Sequence, residues 1–124
     1  MTTFATVINC MDGRTQQPVN EWVRHHSRSD VVDTITEAGP DGILATTDHS
    51  LHESIRRRVR ISIEQHGSQF IAIVGHYDCA GYPVSEAQHH WAIQQAVQRL
   101  KAWYPKVKVV GLWVGNDWVV KQIV

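Results

Sequence analysis

The chain has 124 residues, 43% of them hydrophobic, with 12 Lys and Arg against 12 Asp and Glu. This length and composition fit one globular domain with its own core and exclude a disordered chain. The balanced charge argues against a nucleic-acid partner, and no apolar run approaches the roughly 18 residues of a membrane span.

From the N-terminus, Thr6-Val7-Ile8-Asn9 is a short apolar run that reads as a buried strand leading to Cys10. Pro18 suits the first turn of a helix, in which Val19, Trp22 and Val23 recur at steps of three and four. Val31 to Ile35 reads as a second strand. Periodicity is lost from Glu37 to His49, where Gly39-Pro40-Asp41-Gly42 is turn chemistry, so a functional or crossing loop is expected. Ser50-Leu51-His52-Glu53 has the form of a capping box. Leu51, Ile55, Val59 and Ile63 then follow at steps of four as a helix that Gly67 ends. The basic cluster Arg56-Arg57-Arg58 with Arg60 falls inside that helix and reads as a solvated face. Phe70 to Val74 is a third buried strand. Ser85-Glu86-Ala87-Gln88 is a second capping-box pattern, opening a helix that runs to about Trp103 and buries Ile93, Ala96, Val97, Leu100 and Trp103. Pro105 stops it. Val107 to Val114 is a fourth strand, Gly115-Asn116-Asp117 a turn, and Trp118 to Val124 a terminal strand.

Alternating strands and helices predict a three-layer α/β domain over residues 1–124, with a mostly parallel sheet and helices on both faces. The short last turn predicts an antiparallel C-terminal edge strand. An order 2-1-3-4 makes strands one and three neighbours at the switch point, where ligands gather at the carboxyl ends of strands. Cys10-Met11-Asp12-Gly13-Arg14 follows strand one and Gly75-His76-Tyr77-Asp78-Cys79 follows strand three, so both segments meet in one crevice in that order. Two thiolates and an imidazole form a borderline-soft donor set suited to zinc. His76 and Cys79 are three apart and can face one ion from a tight turn, whereas Cys10 comes from elsewhere, so a metal would clip two strands together.

Met1 to Cys10 has no basic n-region and does not read as a signal peptide, so a cytoplasmic location is expected. There two cysteines serve as ligands, nucleophiles or buried thiols rather than a disulfide. The other histidines (His25, His26, His49, His52, His66, His89 and His90) are expected mostly at the surface, and the five tryptophans in the core or an interface.

Cys10-x-Asp12-x-Arg14 followed by His76-x-x-Cys79 resembles the paired signature of the β-class carbonic anhydrases, and the resemblance extends over nearly the whole chain. Glu37-Ala38-Gly39 stands where that family often has Asn-Ala-Gly, and Gly111-Leu112-Trp113-Val114 is similar to its late strand. The resemblance implies that Cys10, His76 and Cys79 ligate Zn2+, with Asp12 and Arg14 as the catalytic pair beside it. It further implies that Arg14 holds the Asp12 carboxylate off the metal through a charge-assisted pair. Asp12 is then either a fourth ligand in an inactive state or, in an active one, the acceptor of a hydrogen bond from zinc-bound water.

The implied reaction is the reversible hydration of carbon dioxide to bicarbonate by a metal-bound hydroxide, in a homodimer or higher homo-oligomer with active sites at the interface. Two other readings keep the metal. One is hydrolysis of CS2 or carbonyl sulfide on the same scaffold. The other is a non-catalytic zinc protein in which Asp12 closes the fourth site. The chain departs from the family pattern in its shortness and in lacking an N-terminal helical extension. It also has Gly13 for serine, Ala80 for glycine, and Glu37 for asparagine, which adds an acid near the crevice.

Overall fold

A computed structural model describes residues 1–124. Along the chain lie β1 (Phe4–Cys10), α1 (Gly13–Ser27), β2 (Val31–Glu37), α2 (Pro40–Ala45) and α3 (His49–Glu64). They are followed by β3 (Phe70–His76), α4 (Glu86–Trp103), β4 (Lys108–Val114) and β5 (Val120–Gln122). The strands form one sheet in the order β2-β1-β3-β4-β5, parallel except for the antiparallel β4–β5 edge. The expected order and edge therefore hold.

Right-handed crossovers account for the layers. The β1-to-β2 step runs one way along the sheet and the β2-to-β3 and β3-to-β4 steps run the other, so α1 covers one face and α2, α3 and α4 cover the opposite one. Val19 and Val23 of α1 pack with Ala5, Val7, Ala72, Val74 and Leu112. On the other face Leu44, Ile55, Val59, Ile93, Val97 and Leu100 pack with Ile8, Ile35, Ile71 and Ile73. Successive strand residues thus serve opposite faces, as the period of two requires. Both faces of β3 are covered, and all of Phe70–His76 is buried. That explains a continuous apolar run where a one-sided strand would alternate.

Four local expectations are corrected. Helix α1 begins at Gly13, capped by Asp12 accepting from the Arg14 amide, so Pro18 lies inside the helix rather than in its first turn. The segment read as a loop contains α2, because Gly39 in the left-handed region followed by Pro40 at the first helical position starts a short helix as well as a turn. Helix α3 is capped by Asp48, whose carboxylate takes both the amide and the hydroxyl of Ser50; Ser50 is therefore a donor inside the first turn, not the cap. Its buried face carries His52, while Leu51 is half exposed. The last strand is confined to Val120–Gln122, because the chain passes through a left-handed residue at Trp118. Ser85 caps α4 as read, accepting from Gln88 N. No helix is long and apolar enough to cross a membrane.

Strands β1 and β3 pair only from Thr6–Ile8 to Ile71–Ile73, although they continue to Cys10 and His76. Beyond Ile8 they part, which opens a crevice at their carboxyl ends where the strand order reverses.

Candidate metal centre

Cys10 ends β1, His76 ends β3, and Cys79 lies three residues further on; all three side chains are buried. One donor atom from each lies within 4.8 Å of the others. The two sulfurs are 3.9 Å apart and both thiols are free. The His76 ring is oriented by Nδ1, which donates to the Tyr77 carbonyl at 2.7 Å. That leaves Nε2 buried with no hydrogen-bond partner. An imidazole held through one nitrogen, with the other orphaned beside two thiols, is a donor set that zinc satisfies. The three ligand residues read from the sequence are thus brought together.

The electrostatics agree with that chemistry. The Cys10 thiol is held far below its usual pKa by the Cys79 S–H pointing at it, against the opposing effect of burial. His76 and the amides of Gly39 and Asp12 add to the lowering. Cys79 is pushed up in return by the Cys10 thiolate and by burial, and the amides of Tyr82 and Gly81 only partly offset this. Burial disfavours a charged His76, but the Cys10 thiolate and the Tyr77 carbonyl outweigh it and raise its pKa. A dication would relieve the conflict by taking both sulfurs as thiolates.

The loops around the sulfurs depend on close backbone packing. Gly39 has φ 64° and a Cβ there would fall 2.9 Å from the Gly81 carbonyl carbon; a Cβ on Gly81 would fall 2.5 Å from that of Ala38. The Ala38-Gly39 turn and the Cys79–Tyr82 loop therefore interlock with no room for a side chain at either glycine. Ala80 is exposed, so that departure from the family pattern takes no space in the site.

Asp12 is not among the three clustered ligands. Its Oδ1 accepts from Arg14 N at 2.9 Å and Arg14 Nε at 3.1 Å, and its Oδ2 from Arg14 Nη2 at 2.7 Å. This fork lowers the Asp12 pKa to about 2. Arg14 is braced in turn by the Asp78 carboxylate at 3.3 Å, the Asp78 carbonyl at 3.2 Å and the Trp118 ring at 4.4 Å. Glu37 lies opposite Cys10 in the sheet register, but its carboxylate pairs with Arg58 of α3. Arg58 is thus engaged at the site's edge, unlike exposed Arg57 and Arg60 of the same basic cluster.

Sequence reasoning missed Asp78 and Trp118, which carry no local pattern. It also missed Asp41, read as part of a turn, and His89, read as a surface residue; both are fully buried and paired. His89 lies four residues before Ile93, so extending the α4 apolar stripe back one turn would have found it. A cavity of about 440 Å3 lies alongside His76 and Cys79, lined further by Pro83, Val84, Glu86 and Trp113.

The sequence model of a family described as "putative carbonic anhydrase" matches residues 1–124. No curated protein matches the chain in sequence. Among solved structures, the carbonic anhydrase of Streptococcus mutans is 18% identical with a TM-score of 0.67, over 96% of this chain and 81% of that one. The β-carbonic anhydrase isoform I of Trichomonas vaginalis is 16% identical with a TM-score of 0.66, over 97% and 81%. One of two tetrameric β-carbonic anhydrases of Sordaria macrospora is 11% identical with a TM-score of 0.58, over 99% and 82%. At these identities the structures establish a shared fold. With the family match running from end to end on that fold, the chain belongs to the carbonic anhydrase family.

Proposed function

We propose that this chain is a zinc-dependent lyase of the carbonate dehydratase type, interconverting carbon dioxide and bicarbonate. The observation that carries the reading is the buried Cys10–His76–Cys79 cluster beside an Asp12 whose two oxygens are both held by Arg14. Zinc held there would supply the nucleophile by acidifying a water, from a pKa of 15.7 to about 7.

The chain's own residues do the rest. Cys10, His76 and Cys79 would hold the ion, with the Tyr77 carbonyl fixing which His76 nitrogen is free to face it. Thiolates donate more charge than imidazoles, and the amides of Gly39, Gly81 and Tyr82 withdraw part of it from the sulfurs. Asp12 stays ionised at neutral pH, so it would accept a hydrogen bond from that water and orient it toward the substrate. Arg14, braced by Asp78 and Trp118, keeps Asp12 from becoming a fourth ligand. Pro83, Val84 and Trp113 give the neighbouring cavity an apolar wall suited to a small, uncharged, linear molecule.

We place the protein in the cytoplasm, where both free thiols stay reduced. We also propose a homodimer or higher homo-oligomer that covers the exposed Met11, Tyr77 and Val119 on the segments around the crevice. The test is stopped-flow carbon dioxide hydration on metal-analysed protein, from about pH 6.5 to 9 around the expected water pKa. One zinc per chain and a rate that rises with pH are expected. Stoichiometric zinc without hydration at any pH would overturn the reading and leave a non-catalytic zinc protein. Turnover of CS2 or carbonyl sulfide alone would move the activity to those substrates.

A further inference from the structure

Asp41 of α2 and His89 of α4 form a polar pair sealed from water. Asp41 is 0% and His89 1% exposed, and His89 Nδ1 lies 2.6 Å from Asp41 Oδ2. The outer atoms of the pair, Asp41 Oδ1 and His89 Nε2, have no partner. Such a pair is an expensive way to hold two helices together, because apolar side chains of similar volume would carry no desolvation cost.

Each partner instead reaches toward the metal centre. Asp41 is the second residue of α2, directly after the turn whose Gly39 packs against Gly81 and Tyr82 of the Cys79 loop. Its Oδ2 also lies against Gly75, where a Cβ would stand 2.5 Å away, and Gly75 immediately precedes His76. On the other side the His89 ring meets Tyr82 edge-on at 5.0 Å, and Tyr82 lies three residues after Cys79 in the same loop. Gln88 Nε2 donates to the Tyr82 hydroxyl at 3.2 Å and seats the same residue from its far end. The pair therefore stands behind all three ligands, one connection removed from each.

We propose that Asp41 and His89 are a positioning pair for the metal centre: by locking α2 to α4 and β3 they hold the Gly39 turn, the Gly75-His76 strand end and the Tyr82 loop in register, and so set where the two sulfurs and the imidazole stand. The inference rests on Cys10, His76 and Cys79 holding a metal, but not on which substrate is turned over. Neither residue touches the reacting atoms; both act through the backbone segments that carry the ligands.

The test loads the full chain with cobalt(II) and reads the sulfur-to-cobalt charge-transfer band, with zinc affinity measured in parallel by chelator competition. Failure of the wild-type chain to bind one cobalt would overturn the metal reading underneath. Cobalt binding without carbon dioxide hydration would overturn the proposed reaction and leave the pair testable. Asp41→Asn/His89→Phe removes the charge and the ring nitrogens at similar volume. It is expected to fold, to shift the band away from its wild-type position as the sulfurs move, and to weaken zinc binding by about 10- to 100-fold. His89→Asn, whose amide nitrogen falls near the Nδ1 position, should restore the wild-type band. A wild-type band and affinity in the double variant would overturn the proposal, as would a His89→Asn variant no better than it. Should the double variant not fold, His89→Gln takes its place, since its amide nitrogen falls near Nε2 instead. A band equal to that of His89→Asn would then overturn the proposal.

Discussion

Removal of the metal is expected to soften this protein without unfolding it. The ligands stand at the ends of β1 and β3, which are already paired to each other and buried between two apolar clusters. The sheet therefore does not need the ion in order to form. The ion still stabilises the native state by mass action, because the three donors converge only there. With free zinc at a thousand times its dissociation constant, that linkage contributes about 4.1 kcal/mol. Unfolding entropy of about 2.1 cal/mol/K per residue gives roughly 260 cal/mol/K for this chain, so chelation should lower the melting temperature by about 16 °C at that zinc excess. The assay is thermal melting under reductant, with zinc and with chelator, followed by far-ultraviolet circular dichroism and calorimetry. Equal melting temperatures would refute binding at the cluster. Loss of the folded spectrum at 25 °C on chelation would refute a sheet that stands without metal.

Arg14→Ala frees both oxygens of Asp12 and should lower carbon dioxide hydration by about 10- to 100-fold, with little change in melting temperature because the Arg14 side chain is half exposed. Full activity in that variant would refute the restraining role. Gly81→Ala forces a Cβ to within 2.5 Å of the Ala38 backbone, so the Cys79 loop must move. A destabilisation of about 1–3 kcal/mol and weaker zinc binding are expected from melting and chelator competition; an unchanged protein would refute the interlock. Burial lowers the His52 pKa below 6.5, with the nearby Arg99 charge adding to it. The unfolded chain then binds the proton more tightly, so this residue's contribution to stability is complete above that value and is lost as pH falls toward the folded-state pKa. The melting temperature should accordingly drop between about pH 7.5 and 5.5, and drop less in His52→Leu; parallel pH profiles would refute the assignment.

The parts of this structure that were legible in the sequence are those fixed by short-range pattern. The β1 and β3 runs and the Ser85 cap each rest on neighbours within a few residues, whereas the reading of Cys10, His76 and Cys79 joined two motifs far apart in the chain. The α3 register slipped because the polar residue His52, not Leu51, turns inward, where its Nε2 reaches the Ile43 carbonyl at 3.1 Å. A step-of-four apolar pattern has no means of anticipating a buried imidazole. Helix α2 was hidden because Gly-Pro-Asp-Gly suits a turn and a helix start equally well. The braces on Arg14 come from Asp78 and Trp118, and the partner of His89 lies 48 positions away. Such contacts exist only once the sheet has brought distant segments together, so spacing alone carries no trace of them.

The distance along the chain between the two sulfur ligands also governs the order of events during biosynthesis. Cys10 and Cys79 are 69 residues apart. A zinc knuckle with closely spaced ligands can capture its ion on a nascent segment and template the folding of the residues after it. Here the loop to be closed is more than half the chain, and β1 must find β3 before any second sulfur is within reach. A metal held by these residues would be captured only after β1 and β3 have paired. A shortage of zinc in the cell would lower the loaded fraction of finished molecules rather than the yield of folding.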